Sequence, residues 1–272
     1  MNDVNRPIID EFRATGGRVG GMFADARLLL LTSTGAKSGL RHTTPLGYFP
    51  DGERVLVVAS AAGSDRHPDW FHNISADPRV TVEDGAFTYD ALAEILDGEE
   101  RDTVFARVVE AAPGFGDYQH KTARVLPVVA LSPASDGPPG GGSLADMLVG
   151  IHDAFRRELA LIRKELAGSG PWLGVQLRIN CVTLCQGLHN HHVGEDAGLF
   201  EAIGAKHPEL TDTLTRLRSE HDTIADLTAA MQTAVHDESR DAARVEVERL
   251  ACELERHLDH EEEQLLPALR AM

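Results

Sequence analysis

The chain has 272 residues, a formal net charge of −17 at pH 7 and 42% hydrophobic residues. That length holds one large domain or two ordinary ones. So strong an acidic excess argues against non-specific binding to nucleic acid or anionic membranes. No apolar run reaches the roughly 18 residues a transmembrane helix needs. The start, MNDVNRPIIDEF, lacks the basic residues and apolar core of a signal peptide, so the expected location is the cytoplasm.

A short helix is expected over residues 4–16, then an apolar strand, Leu28 to Ser33. TGAKSG has turn composition and leads into a second strand through Phe49. Asp51-Gly52 is a hairpin turn, followed by a third strand, Arg54 to Ser60. His67 to Ala76 reads as a short helix, with Pro68 suited to its first turn. Two more strands, Arg79 to Glu83 and Ala86 to Ile95, flank Asp84-Gly85. Asp97 to Ala112 is an amphipathic helix, Tyr118 lies in another helical piece, and Leu126 to Leu131 is a closing strand. Five or six short strands with helices at the edges predict a small antiparallel barrel.

Lys37, Arg41 and His42 cluster beside Gly35, Ser38 and Gly39. Backbone N–H groups in such a stretch, flanked by cations, suit a phosphate or carboxylate tail, with a plain hairpin turn as the other reading. Trp70 and Tyr118 could flank a planar ring or simply fill core. No nucleophile–base pair stands out, as expected where a cofactor carries the chemistry.

TSTGAKSGLRHTTPL, VVASAAGSDRHPDWFHN and YQHKTARVLPVVAL, in that order, resemble the deazaflavin-dependent nitroreductase family over roughly residues 10–133. The resemblance implies a split β-barrel, related to the flavin-mononucleotide-binding barrels, that uses coenzyme F420, with FMN as the alternative. It implies that Lys37, Ser38 and Arg41 meet the anionic tail of the cofactor. Ala59, Ser60, Gly63 and Trp70 would line the deazaflavin pocket, and Tyr118 would stand near the substrate as the catalytic residue. The implied reaction is hydride transfer to a quinone or nitro-type acceptor. One departure is Ser64-Asp65, in a loop where the family often has a Lys.

Residues 132–143, SPASDGPPGGGS, lack apolar periodicity and read as a tether. The expected organisation is a barrel over 1–133, a Gly/Pro linker over 134–143 and a helical domain over 144–272. The two sides of the tether carry −7 and −10, and nine of the thirteen His lie beyond it. The three cysteines, Cys181, Cys185 and Cys252, fit neither a redox pair nor zinc spacing and read as small core residues in a reducing compartment.

Four helical seams follow the tether. One is Leu148, His152, Phe155, Leu159, Ile162 and Leu166. The second is Leu177, Cys181, Leu184, Leu188, His191 and Glu195. The third is Leu214, Leu217, His221, Ile224 and Met231, and the fourth is Val247, Leu250, Leu254, His257 and Glu261. The His and Glu sit on the apolar stripes, where a bundle core belongs. Ionisable groups are costly there unless paired or metal-bound. Four imidazoles with two carboxylates suit iron or manganese, and bridging carboxylates favour two ions.

The pattern H…HxxxE…H…HxxxE, with GEDAGLF and EEEQLLPAL after the two pairs, resembles the hemerythrin-like HHE cation-binding family over about residues 144–270. It implies an up-down four-helix bundle holding two non-haem irons that meet O2, NO or peroxide. The ligands carried over are His152, His191, Glu195, His221, His257 and Glu261. Respiratory hemerythrins have another His one turn beyond the third-helix ligand. Here that position is Ala225, which implies an open or carboxylate-filled position on one iron. His189 and His192 fall off the stripe, as exposed residues or donors behind the ligands. His207 belongs to a loop, His236 and His260 to the surface, and Glu262 and Glu263 to a solvated face. The heptad count favours Glu195 over Asp196.

The chain therefore reads as α+β: a split-barrel F420-dependent oxidoreductase with a quinone-like acceptor, joined to a di-iron module. The alternative is a non-enzymatic redox or gas sensor, or iron-binding protein, whose barrel has lost cofactor chemistry. Neither nucleic acid nor a membrane is an expected partner, and pairing of two chains is left open.

Overall fold

A computed structural model describes residues 5–24, 26–134, 143–168, 173–237 and 239–272. The chain divides into two compact units, Met1–Gly141 with Gly174–Gln176, and Gly142–Leu173 with Leu177–Met272. Most of the expected tether, residues 135–142, lies outside the described residues.

The first unit is a closed six-stranded antiparallel barrel in the order β1-β2-β3-β6-β5-β4. Its strands are β1 (Leu28–Thr34), β2 (Arg41–Asp51), β3 (Arg54–Val58), β4 (Arg79–Glu83), β5 (Thr88–Ile95) and β6 (Val128–Pro133). The run LLLL in β1 does not alternate because both faces are covered. Leu29 and Leu31 point into the barrel with Val57, Val129 and Leu131. Leu28 and Leu30 pack outward on Phe12 of α1 (Arg6–Ala14) and on Val19. On the opposite wall, Leu56, Val128 and Ala130 pack against Val104, Phe105 and Val108 of α3 (Gly98–Ala111). Strand β3 stops at Val58, two residues before the expected end, and the carbonyls of Ala59 and Ser60 beyond it accept from the Arg124 guanidinium.

Antiparallel strands that succeed one another place their connections at alternating ends. The two tight turns lie at one end. There Gly52 and Gly85 take positive φ of 67° and 96°, a conformation that glycine adopts without a Cβ penalty. The three long connections lie at the other end: residues 35–40, residues 59–78 with α2 (Asp69–Ala76), and residues 96–127 with α3 and α4 (Gly114–His120).

The second unit is a helical bundle of α5 (Leu144–Leu166), α6 (Val175–Gly194), α7 (Phe200–Lys206), α8 (Thr211–His236) and α9 (Arg240–Ala271). Ser143 caps α5 by accepting from the N–H of Asp146, and Ser239 caps α9 by accepting from that of Ala242. Two apolar clusters fill the core. The larger includes Leu159, Ile162, Leu184, Leu188, Ile224, Met231, Leu250 and Leu254. The smaller comprises Ala145, Leu148, Phe200, Ile203, Leu214, Leu217, Leu265 and Leu269. On every long helix the stretch between the two clusters carries the His and Glu residues, so a single polar layer crosses an otherwise dry core.

Candidate metal centre and cofactor end of the barrel

All six expected metal-binding residues lie in this layer. His152, His257 and Glu261 are 0% exposed, and Glu195 and His221 are 4% exposed. Nearly all of the His191 side chain is covered as well. The ligand-type atoms form two groups, each within 4.8 Å: His152, His191, Glu195 and Glu261, and His192, His221 and His257. The carboxylates reach across both. Glu261 Oε2 is 3.5 Å from Nε2 of His152 and 3.5 Å from Nε2 of His257. Glu195 Oε1 is 3.3 Å from His191 Nε2, and its Oε2 is 3.6 Å from His221 Nε2.

A π-helical turn, Glu195–Leu199, joins α6 to α7. The buried stripe passes from Glu195 to Phe200, five residues on, and the wider turn absorbs the extra residue. Glu195 thus faces inward, while Asp196 sits behind the site with its Oδ1 3.1 Å from His221 Nδ1.

Three imidazoles are set from behind in this way. His152 Nδ1 meets Glu262 Oε1 at 2.9 Å, His221 Nδ1 meets Asp196, and His257 Nδ1 meets Glu220 Oε2 at 3.0 Å. A carboxylate on Nδ1 fixes the tautomer and leaves Nε2 bare toward the centre, as metal-binding histidines require. Glu262, expected on a solvated face, is instead one of these supports. His260, expected at the surface, donates its Nδ1–H to Glu220 at 3.2 Å.

Most of the inward atoms have no hydrogen-bond partner. Nε2 of His192, His221 and His257 and both oxygens of Glu195 and Glu261 are buried without one. Each such group costs about 1–3 kcal/mol. His152 Nε2 and His191 Nε2 stand 3.2 Å apart, and two bare nitrogens need a proton or an ion between them. Burial and the neighbouring imidazole of His152 hold His191 down at about 3. Burial and Glu261 push Glu195 up to about 10. Burial opposes charge on His152, but Glu261 and Glu262 outweigh it and raise its pKa. A cation among these atoms would satisfy all of them, so the donor set fits a metal of mixed nitrogen–oxygen preference.

His192, left outside the expected set as an exposed residue or a donor behind the ligands, lies inside the polar layer. It is 6% exposed and belongs to the three-histidine group. The seam counted Leu188, His191, Glu195, but a core-facing stripe spans at least about 100° and takes both i+3 and i+4. Cys185, Leu188, His192 and Glu195, in steps of 3, 4, 3, follow the stripe equally well. Ala225 and His189 are exposed, and His207 falls between α7 and α8.

At the barrel, the eight expected cofactor and substrate residues all fall at the end with the long connections. Lys37, Ser38 and Arg41 are exposed. The Ser38 hydroxyl accepts from the N–H of Leu40 at 3.2 Å and lies 3.1 Å from His42 Nε2. A Cβ on Gly35 would crowd that hydroxyl and the His42 ring, so the turn packs tightly on glycine. Arg41 donates to Thr81 Oγ1 at 2.6 Å.

Ala59 is fully buried and Trp70 is 5% exposed, both within the barrel core cluster. Ser60 is half-buried. Ala61, Ala62 and Gly63 follow with φ of 46°, 53° and 83°. For the two alanines that conformation costs about 1–3 kcal/mol each, and such strain gathers at ligand clamps. A Cβ on Gly63 would meet the Tyr118 carbonyl at 2.9 Å, so the segment lies directly against α4. Tyr118 is half-buried, edge-on to Phe115, with Lys121 Nζ 5.2 Å from its ring centre.

Two residues outside the expected set organise this end. Asn73 accepts from the N–H of Ala36 at 3.0 Å and donates to Ser33 Oγ at 3.2 Å, tying α2 to the cationic turn. Arg124 donates to the carbonyls of Ala59 (3.0 Å), Ser60 (2.7 Å) and Ser64 (2.7 Å). Asp65, in the departing loop, accepts from Thr122 Oγ1 at 2.8 Å. Exposed cations beside a braced, strained turn fit an anionic cofactor with a planar head.

Comparison with known proteins finds a family for each half of the chain. The model described as F420H(2)-dependent quinone reductase matches residues 4–133, and that of the hemerythrin HHE cation binding domain matches residues 143–269. The F420H(2)-dependent quinone reductases of two Mycobacterium tuberculosis strains are each 36% identical over 127 residues, which is 44% of this chain and 84% of the relative. A solved F420-H2 dependent reductase (FDR-A) is 39% identical, with 39% of this chain and 94% of that one covered and a TM-score of 0.37.

Proposed function

The chain belongs to the F420H(2)-dependent quinone reductase family through residues 4–133 and carries a hemerythrin HHE domain over residues 143–269; from this premise we propose that it reduces a quinone-type acceptor with F420H2 and holds two non-haem irons that meet O2, NO or peroxide. Nitro compounds are secondary acceptors. The catalytic unit is the barrel of residues 1–133, with 134–143 as a linker to a four-helix bundle over 144–272.

The observation that carries the barrel reading is the meeting of the exposed cations and the strained, Arg124-braced turn at one barrel end. Reduced F420, when bound there, supplies a hydride, which with a proton converts a quinone to a quinol. Lys37 and Arg41 bind the anionic tail, and the Ser38 hydroxyl and turn N–H groups orient it. Ala59, Ser60 and Gly63 offer backbone edges to the ring, with Trp70 behind them as a rigid support. The Tyr118 phenol, on the α4 side, donates its O–H to the acceptor carbonyl and holds it in register.

In the bundle, Nε2 of His152, His191, His221 and His257 and the carboxylates of Glu195 and Glu261 would hold the metal. Iron, when bound there, supplies a redox-active centre open to small oxidants. The apolar layers on both sides exclude water. A reducing cytoplasmic setting suits the buried thiols of Cys181 and Cys185. Among the described residues, no helix is long and apolar enough to cross a membrane.

The test is anaerobic oxidation of F420H2 by a soluble quinone. Wild type should turn over, Lys37→Ala should raise KM for F420H2 by about tenfold or more, the loss of one charge-assisted contact, and Tyr118→Phe should lower kcat. Binding of F420 without turnover by any quinone would favour the sensor reading and sink this one.

A further inference from the structure

The resemblance to hemerythrins supplies four histidines and two carboxylates, yet the polar layer holds a fifth imidazole. We infer that His192 is a metal ligand, sharing one ion with His221 and His257 while His152 and His191 serve the other. The inference rests on the metal-binding reading above and adds a residue to it.

Three observations carry it. His192 is 6% exposed, and its Nε2 is buried without a hydrogen-bond partner. Its ring offers a ligand-type nitrogen within 4.8 Å of those of both His221 and His257. Its ring stacks on that of His221 with centroids 4.1 Å apart and planes 8° apart. A histidine kept merely for packing would leave a buried acceptor unsatisfied, at a cost of about 1–3 kcal/mol, where a leucine would leave none.

The backbone explains why the ligand comes from this position. One turn beyond His221 stands Ala225, and it is exposed. On α6, His191 and His192 are consecutive, about 100° apart on the helix, and each turns to one side of the inward direction. One helix thus gives an imidazole to each ion. The centre is unequal as a result, with three nitrogens at one pole and two at the other.

The test uses the full chain, reconstituted anaerobically with Fe(II) and desalted. Wild type should retain two irons per chain. His192→Gln keeps the side chain polar and of similar size, and should lose one iron or hold it at least about tenfold more weakly. Loss of groups that only orient ligands already costs that much. His189→Gln, on the exposed face of the same helix, should match wild type. Equal iron content and affinity in folded His192→Gln would overturn the inference while leaving the metal centre standing. A wild type that binds no iron would overturn both readings. If His192→Gln does not fold, X-ray absorption of wild type decides: about five imidazoles per two irons support the assignment, and four overturn it.

Discussion

His257 donates its Nδ1–H to Glu220 Oε2 at 3.0 Å, and the same oxygen takes His260 Nδ1–H at 3.2 Å. Burial alone would raise the Glu220 carboxyl, but the bonds from His257, His260 and Arg256 outweigh it and hold the group at about 2. Glu220 is therefore an acceptor only, and His257 must keep Nε2 bare toward the centre. Glu220→Gln removes the charge that makes this imidazole basic. Iron affinity, measured by chelator competition, should fall by about 10- to 100-fold with helical content unchanged. An unchanged affinity would show that Glu220 only packs against α9.

The titration of the metal-free bundle has a defined sign. Glu195, raised from 4.5 to about 10 by burial and Glu261, contributes stability below its ordinary value that is lost as pH rises toward 10. His191, lowered from 6.5 to about 3 by burial and His152, contributes stability above its ordinary value that is lost as pH falls toward 3. Stripped of metal, the bundle should lose stability from neutral pH toward 10, and again on acidification below the histidine range. Iron replaces the proton on Glu195, so the alkaline loss should vanish in the loaded protein. Calorimetry of the full chain with and without iron, from pH 6 to 10, checks this. Parallel alkaline slopes would refute it.

Much of this arrangement is legible in the chain itself. Seam counting puts His152, Glu195, His221, His257 and Glu261 on the buried stripes, where the structure buries them, because helical period and burial agree at those positions. It misses His192 because a stripe of 3.6-residue period admits two neighbours at its edge, and only packing against His221 selects both. It assigns Glu262 to a solvated face because a residue braced behind a ligand lies on the flank of its helix, where periodicity reads solvent. In the barrel, the Asp-Gly turns and strand runs are local signals and give five or six strands. Arg124 is invisible to such reading, since its partners Ala59, Ser60 and Ser64 are at least 60 residues away and are backbone carbonyls.

The three cysteines should divide by burial. Cys185 is 1% exposed, its Sγ donates to the Thr228 carbonyl at 3.7 Å, and burial pushes its thiol up to about 12. Cys181 is equally enclosed, whereas Cys252 is exposed. Only the thiolate attacks an alkylating agent. Iodoacetamide at pH 8 should label Cys252 alone in the native protein and all three after denaturation. Rapid native labelling of Cys185 would mean that the α6–α8 contact opens readily.

Arg124 carries the last prediction. Its guanidinium spans the carbonyls of Ala59, Ser60 and Ser64, and its Nη1 meets His67 Nδ1 at 3.1 Å. Burial and the adjacent guanidinium hold His67 below its ordinary value, so a neutral His67 accepts this bond. A planar fork is needed to serve acceptors on several sides, and the ammonium of Arg124→Lys cannot reach them all. Released, the segment should leave the left-handed conformation of Ala61 and Ala62, whose strain no longer has a counterweight. F420 affinity, read by fluorescence titration, should fall by about tenfold, and trypsin should cut more quickly after the neighbouring exposed Arg66. The barrel should persist, because its core of Leu29, Leu31, Val57 and Leu131 does not include Arg124. Weaker binding with unchanged cleavage at Arg66 would mean that Arg124 acts on the cofactor directly and not through the loop it braces.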